Sequence, residues 1–416
     1  MSSLLSVEEA KKKIIDKFTT LEAETIPLNA AAGRVLAENI VSGIDLPLFP
    51  NSSMDGFAVR SIDVECATYD KQKKLKVVDD IPAGKVSLMT IEEDQTSRIM
   101  TGAPLPAGAD AVIPIEDTNQ FKPGKQSEPL QLEIKVFRSV KTGDFVRQQG
   151  EDIQSGEKVL SSGKRIRPQE VGLLAMLGIT EVPVVRRPRI AIMSTGDELV
   201  PIDTPLQAGE IHDSNTHTLH AQIVRDGGDP LNSGIASDLE TAVYEGLVRA
   251  VSSEVDLIIS TAGVSVGAFD FVKSVVEQYG SVEFWRVNMR PGKPLTFGYF
   301  QGVPIIGLPG NPVSAFVSYE IFVRPAIYRM SGFKNAEQLI MQVRLIDPVE
   351  SDGRESYLRA FVKRQEGQWT ARLTGHQGSG NLRSLIQANA LLVIPSGVKS
   401  LPSNSVMEAI LFNDFS

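Results

Sequence analysis

The apolar positions change their spacing along the chain, and each change predicts a different kind of structure. Near the start, Ser6-Val7-Glu8-Glu9 forms a capping box, and Ala10, Ile14, Ile15 and Phe18 follow at helical spacing, which predicts a helix over 7–19. Leu46-Pro47-Leu48-Phe49-Pro50 can be neither an internal helix nor a central strand, so a domain boundary is expected there. From about residue 50 to 150 the apolar runs are short (75–78, 97–100, 111–115, 130–136) and separated by Pro and Gly, which reads as a mostly β module. A strand over 159–166 and a short helix over 171–177 are expected next, and this piece is expected to rejoin the N-terminal helix as one discontinuous domain.

After Arg186-Arg187-Pro188 the pattern becomes an alternation of apolar strands and amphipathic helices. Strands are predicted at 189–194, 229–236, 255–260, 284–289 and 303–308, and helices at 218–224, 238–251, 269–279 and 313–330. This is the pattern of a doubly wound α/β domain. The tail returns to strands at 339–346, 357–363, 369–373 and 391–394. The expected fold is therefore multidomain, α/β plus β. It comprises a discontinuous helical/β domain (1–44 with 153–184), a mostly β module (45–152), the α/β domain (185–331) and a small C-terminal β domain (332–416).

Composition narrows the function. The 416 residues are 42% apolar and 22% charged, which fits packed domains and excludes overall disorder. The formal charge of −9, from 42 basic and 51 acidic side chains, argues against a nucleic-acid binder but leaves room for a local basic pocket. A single cysteine, Cys66, excludes an internal disulfide and a cysteine zinc cluster. There is no apolar run of about 18 residues, so no membrane span is expected. The first residues lack a basic segment followed by an apolar core, so a cytoplasmic location is expected.

Three predicted strand ends run into unusual loops: Ser194-Thr-Gly-Asp-Glu198, Thr261-Ala-Gly-Val-Ser-Val-Gly267 with Asp270 and Lys273 after it, and Pro309-Gly-Asn-Pro-Val-Ser314. Small residues let the backbone approach a ligand, and free N–H groups favour anions, so these loops are candidates for cradling a phosphate or a similar oxyanion. Neither a Rossmann fingerprint nor a P-loop is present, which weakens dehydrogenase and ordinary NTPase readings. Asp197, Glu198, Asp213, Asp238 and Asp270 lie near these loops, and carboxylates beside a phosphate point to Mg²⁺. Asp213 also fits a helix cap. Arg286, Arg290 and Lys293, around a turn stiffened by Pro291 and Pro294, are candidate oxyanion ligands. His212, His217 and His220 do not match a zinc spacing, and Cys66 has no neighbouring base.

Taken in order, the motifs resemble the MoeA family of molybdopterin molybdenumtransferases, which is similar to the C-terminal domain of gephyrin. They are Pro50-Asn-Ser-Ser-Met-Asp-Gly-Phe-Ala58, Thr101-Gly-Ala-Pro104, Gly108-Ala-Asp-Ala-Val112, Gly150-Glu-Asp-Ile153, Ser194-Thr-Gly-Asp-Glu-Leu199, Asp213-Ser-Asn215, Gly263-Val-Ser-Val-Gly267, Pro291-Gly-Lys-Pro294 and Leu308-Pro-Gly-Asn-Pro-Val-Ser314. Gly353-Arg354, Tyr357 with Arg359, Gly375-His-Gln-Gly-Ser379 and Ala388-Asn-Ala390 extend the match into the C-terminal domain.

The resemblance implies a homodimer and an α/β domain that binds molybdopterin. The implied reaction inserts molybdenum from molybdate into adenylylated molybdopterin, with Mg²⁺-dependent release of AMP, and a molybdopterin adenylyltransferase as the upstream partner. By the same resemblance, Asp55, Glu198, Asp238 and Asp270 are expected as catalytic carboxylates, the last three also as Mg²⁺ ligands. Thr101 and Asp152 are expected to contact substrate, with Asp55 and Thr101 supplied by the second subunit. Arg290, Lys293, Ser265, Arg359 and Ser379 are expected around molybdate, Gly263, Gly267, Gly310 and Ser314 around the pterin or nucleotide phosphates, and Pro294 as a further substrate contact. The chain departs from the family pattern at Phe57, Thr216, Ala262 and Arg290. An adenylyltransferase and a gephyrin-like scaffold are the competing functions; consumption of ATP would mark the first, and indifference to loss of the acidic side chains the second.

Overall fold

The computed structural model describes residues 4–121, 131–262, 268–333 and 339–412. The chain forms two compact units, one of residues 1–38, 162–172 and 179–416, the other of residues 39–161 and 173–178.

In the larger unit, β1 (Arg189–Thr195), β2 (Asp229–Ala236), β3 (Leu257–Ala262), β4 (Gly280–Arg286), β5 (Pro294–Phe300) and β6 (Val303–Pro309) form a six-stranded sheet in the order β2-β1-β3-β6-β5-β4. The first four in that order are parallel, and β5 and β4 extend the sheet antiparallel. The alternation along each parallel strand explains the layering. Ile190 and Ile192 face a core shared with α3 (Ser214–Arg225) and α6 (Pro312–Ser318), whereas Ala191 and Met193 face α4 (Glu240–Ser252) and α5 (Ala268–Tyr279). Helices on both faces make the sheet doubly wound. The N-terminal helix α1 (Val7–Ile15), capped by Ser6 and Glu9, adds Val7, Ala10 and Ile14 to the first of these cores, and the next α-helix along the chain is α2 (Pro168–Met176). It is shorter than the apolar spacing predicts because Lys17 and Phe18 donate to Ile14 and Ile15 carbonyls, tightening the end into a turn.

Other elements of this unit also differ from the sequence reading, and strands over 294–300 and 406–411 are added to it. The stretch over 284–289 divides: β4 ends at Arg286, and Met289–Arg290 pairs instead with Glu355–Ser356 of the C-terminal sheet. The helix over 312–330 contains a wide π turn at Tyr319–Val323 before α7 (Arg324–Met330). Pro325 lacks an N–H and its ring would crowd the Ile321 carbonyl of a regular helix, which accounts for the widening just before it. The C-terminal strands β7 (Ile340–Leu345), β8 (Glu355–Gln365), β9 (Gln368–Leu373), β10 (Ala390–Ile394) and β11 (Val406–Leu411) run in the order β8-β9-β7-β11-β10, and β8 pairs with β10 to close a barrel. Tyr357, Leu391 and Ile410 of the barrel share a core with Val313 and Val317 of α6, which seats the barrel on the α/β domain.

The smaller unit is built on a five-stranded sheet in the order Ala111–Pro114, Gly56–Val59, Gln95–Ile99, Lys73–Ile81, Glu133–Val136. Gly56 is needed where it stands: a Cβ there would lie 2.0 Å from the Ile113 carbonyl oxygen of the neighbouring strand.

Candidate functional site

The sheet register brings three of the loops together. Thr195 at the end of β1 lies opposite both Ala236 and Ala262, and Ala262 lies opposite Pro309. The loops that leave β1, β2, β3 and β6 therefore emerge along one edge, where open α/β sheets bind ligands. A chain of buried hydroxyls ties the edge together. Ser194 Oγ is 3.0 Å from both Thr216 Oγ1 and Thr261 Oγ1, and the Thr216 hydroxyl donates to Asp213 Oδ2 at 2.6 Å. Asp213 caps α3, also accepting from the Thr216 N–H. Thr216, one of the departures from the family pattern, is thus a structural link in the hydroxyl chain. Asn215 Nδ2 donates to the Gly310 carbonyl at 2.8 Å, while its buried Oδ1 has no partner.

The carboxylates gather at the β1 and β2 ends. The Asp238 N–H donates to Asp197 Oδ1 at 3.0 Å. Burial, then the charges of Asp197 and Glu198, raises the Asp238 pKa above the ordinary aspartate value. Its Oδ1 is buried without a hydrogen-bond partner. Gly196 leaves space for the Glu198 carboxylate, since a Cβ there would meet Oε2 at 2.6 Å. Asp270 sits in the first turn of α5, and Lys273 one turn later pairs with Glu277 at 3.5 Å. Gly263, Ser265 and Gly267 lie outside the described residues.

Mutually repelling carboxylates with an unpartnered buried oxygen fit a hard cation. Among the described residues no three metal-ligating side chains close on one point.

A cavity of about 330 Å³ opens between the β6 end, the 290–294 turn and the barrel. Arg290, Lys293, Pro294, Ser314, Arg359 and Ser379 all line it, so six of the residues expected to bind substrate converge here. Arg359 is fully buried on β8. Its guanidinium donates to Ser384 Oγ and to the Gly378 carbonyl, each at 3.0 Å, and no carboxylate pairs with it among the described residues. Burial, then the neighbouring Arg290 charge, pushes its pKa down to about 10. Among the described residues Arg290 reaches only Asp352, at 3.8 Å. That carboxylate is engaged by Arg354 through Nε at 3.0 Å and the backbone N–H at 3.1 Å, and these bonds hold its pKa below the usual aspartate range. Lys293 is exposed and has no anionic partner among the described residues.

The frame of this cavity is rigid. A Cβ on Gly292 would meet Ser318 Oγ at 2.6 Å, so the 290–294 turn is packed against α6. Gln377 clamps the Arg359 backbone in both directions: its Oε1 accepts from the Arg359 N–H at 2.9 Å, and its Nε2 donates to the Arg359 carbonyl at 3.1 Å. The Val313 N–H donates to the Ser379 carbonyl, tying α6 to the same loop. Gly310, held by Asn215, stands at the β6 end.

In the smaller unit, Asp55 precedes the buried Gly56 strand and accepts from the Thr101 N–H and hydroxyl, each at 2.7 Å, which lowers its pKa. Asp152 forms an ion pair with Arg147. Arg354, Gln377 and Asn215 were not singled out as site residues from sequence; their signal was membership in the quoted motifs Gly353-Arg354, Gly375–Ser379 and Asp213–Asn215.

Comparison with known families completes the assignment. Residues 5–178 match the MoeA N-terminal region (domain I and II), residues 191–329 a probable molybdopterin binding domain, and residues 342–412 the MoeA C-terminal region (domain IV). The chain belongs to the MoeA family. It is 36% identical over 416 residues to molybdopterin molybdenumtransferase 2 of Mycobacterium tuberculosis, covering 97% of this chain and 98% of that one. It is 38% identical over 383 residues to the molybdopterin molybdenumtransferase of a Nostoc species, covering 90% and 86%. A crystal structure of the molybdopterin biosynthesis MoeA protein from Pyrococcus horikoshii has a TM-score of 0.82 at 31% identity, covering 99% of this chain and all of that one. This MoeA chain thus carries the family's three sequence regions in order, with the hydroxyl chain, the carboxylates and the basic cavity in the second and third.

Proposed function

We propose that this transferase acts in molybdenum cofactor biosynthesis, moving molybdenum from molybdate onto adenylylated molybdopterin with release of AMP. Membership of the MoeA family and relatives named molybdopterin molybdenumtransferase support this reading. The observation that carries it is Arg359: a fully buried cation that has no carboxylate partner among the described residues and stands beside Arg290 and Lys293. A dianionic tetrahedral oxyanion supplies the charge this group lacks, and the guanidinium fork suits its oxygens.

In this reading Arg359, Arg290 and Lys293 bind molybdate, with Ser379 and Ser314 as neutral donors on the same wall. Gln377 fixes the Arg359 backbone so that its fork is aimed before substrate arrives. Asp238 and Glu198, with Asp270 on α5, would hold Mg²⁺, which when bound withdraws charge from the phosphoanhydride as AMP departs. The loops at Gly263–Gly267 and Gly310–Ser314 would receive the pterin and nucleotide phosphates. Asp55 and Thr101, with Asp152, act from the second subunit of a homodimer. An adenylyltransferase acts upstream because the substrate must first be adenylylated, and the cytoplasm is the place for this pathway.

The test is AMP release from adenylylated molybdopterin with Mg²⁺ and molybdate present or omitted, and tungstate in parallel. Molybdate-dependent release, yielding a cofactor that reconstitutes a molybdoenzyme, is expected without ATP consumption. Release only with tungstate would change the metal, and bound pterin with no release under any condition would refute the reaction.

A further inference from the structure

At the opposite, amino-terminal edge of the α/β sheet lies a second basic cavity, of about 120 Å³. It sits where the chain enters β1 and β2, between Arg186–Arg187 and Asp226–Gly227. Five arginines line it against one carboxylate, Asp226. Three of the five are committed. Arg34 pairs with Glu24 and donates to the Val185 carbonyl at 2.8 Å. Arg186 pairs with Glu22 and, at 2.6 and 2.7 Å, with Asp256. Arg225 is held by Asp226 and Glu320. Asp226 is itself occupied by Arg225, Arg324 and the hydroxyls of Tyr319 and Tyr328.

That leaves Arg165 and Arg187, which have no anionic partner among the described residues although both line the cavity. A second, independent observation points the same way. Ser331, 7% exposed, lines the same cavity, and its buried Oγ has no hydrogen-bond partner. A buried hydroxyl left unpaired is unfavourable, and the deficit disappears if an acceptor enters the cavity. The two helices that end here, α3 and α7, do not present bare carbonyls: Gly227, Gly228, Gly332 and Phe333 N–H groups cap the last turns.

We propose that this cavity binds a free tetrahedral oxyanion of the phosphate or sulfate class, held by Arg165, Arg187 and the Ser331 hydroxyl. Its size selects the free ion, because pockets for nucleotide-sized ligands run to roughly 300 Å³ or more. The site is on the far edge of the sheet from the carboxylates and does not depend on the proposed reaction.

The test is calorimetric titration of the full chain with inorganic phosphate at fixed ionic strength. Arg359→Gln provides the background, so that the substrate cavity does not contribute. One phosphate per chain with millimolar affinity, displaced by sulfate, is expected. Arg165→Gln combined with Arg187→Gln should weaken binding about tenfold or more. Both side chains are exposed, so this variant should keep the wild-type circular dichroism. Ser331→Ala, which leaves both arginines in place, should weaken binding about threefold. No phosphate binding, or unchanged affinity in the double variant, overturns the site. A phosphate site lost along with Arg165 and Arg187 stands even if molybdate-dependent AMP release fails.

Discussion

Two buried arginine clusters in the larger unit solve the problem of burial in opposite ways. Around the π turn, Arg225 and Arg324 meet Asp226 and Glu320, with Glu320 within 2.7 Å of Arg225 and 3.0 Å of Arg324. Burial works against both guanidinium groups, yet the two carboxylates outweigh it and hold both arginines above their ordinary pKa. At the barrel, Arg359 is as inaccessible as Arg324 but faces Arg290 instead of a carboxylate, and its pKa falls to about 10. The first cluster is closed and neutral, and nothing remains for a ligand to do. The second is short of negative charge, and only an incoming anion balances it. Burial alone therefore does not mark a site; burial without compensation does.

The sharpest way to break this contrast is to remove charge from each cluster in turn. Glu320→Gln keeps the shape but removes the carboxylate nearest Arg324 and one of the two that hold Arg225, leaving Asp226 alone against both cations, and should cost about 3–5 kcal/mol of stability in urea unfolding. Folded protein should turn over normally. A loss below about 1 kcal/mol would mean that the cluster is not a closed ionic unit. Arg359→Met should do the reverse, lowering molybdate-dependent AMP release about 100-fold or more while costing about 1 kcal/mol of stability. Wild-type turnover in this variant would sink the oxyanion assignment of the cavity. The pH sign is set by the lowered pKa: molybdate affinity should fall as pH rises toward about 10, because the cation is lost there.

The carboxylates at the sheet edge show the same lack of compensation with the opposite sign. Asp238→Asn should raise the Mg²⁺ concentration for half-maximal activity about tenfold. Because the Asp238 pKa is raised, protonation relieves repulsion. Metal-free protein should therefore gain stability as pH falls through that pKa, while Mg²⁺ affinity declines over the same window. Asp238→Asn should flatten both trends. Mg²⁺ titrations at several pH values check this, and an unchanged pH profile would remove Asp238 from the metal site.

Much of the frame was legible because it repeats a period. The strands at 189–195, 257–262 and 303–309 read as continuous apolar runs, and their helices as 3.6-residue patterns. What escaped has no period. The strand Gly56–Val59 is only four residues long and opens on a glycine required by a neighbour that cannot be seen from sequence. β5 begins with a proline and joins β6 through Gln301-Gly302, both at positive φ, in place of the more familiar Asn-Gly. In the site, clusters on strand-end loops were visible as Gly-rich motifs. Arg359 and Ser379 were suggested by resemblance alone, because they lie 69 and 89 positions from Arg290 and come near it only through the barrel. The Gln377 clamp and the Asn215 link are side-chain-to-backbone contacts and have no sequence spacing at all.

The smallest effect should come from Gly196, which separates how the carboxylates are placed from whether they are present. A Cβ added there meets Glu198 Oε2 at 2.6 Å and Cδ at 2.9 Å, and the backbone has φ of +152°. The clash is with the free end of a flexible side chain, so the carboxylate swings aside instead of breaking the strand. Gly196→Ala should therefore cost about 1 kcal/mol of stability from the backbone conformation. It should raise the Mg²⁺ requirement about threefold and leave molybdate affinity unchanged, because the Arg359 cavity is not touched. A large fall in molybdate affinity would show that the acidic and basic halves of the site are coupled through the loop after β1. An unchanged Mg²⁺ requirement would show that the position of the Glu198 carboxylate does not matter, and Asp238 would then be the metal's main anchor on this edge.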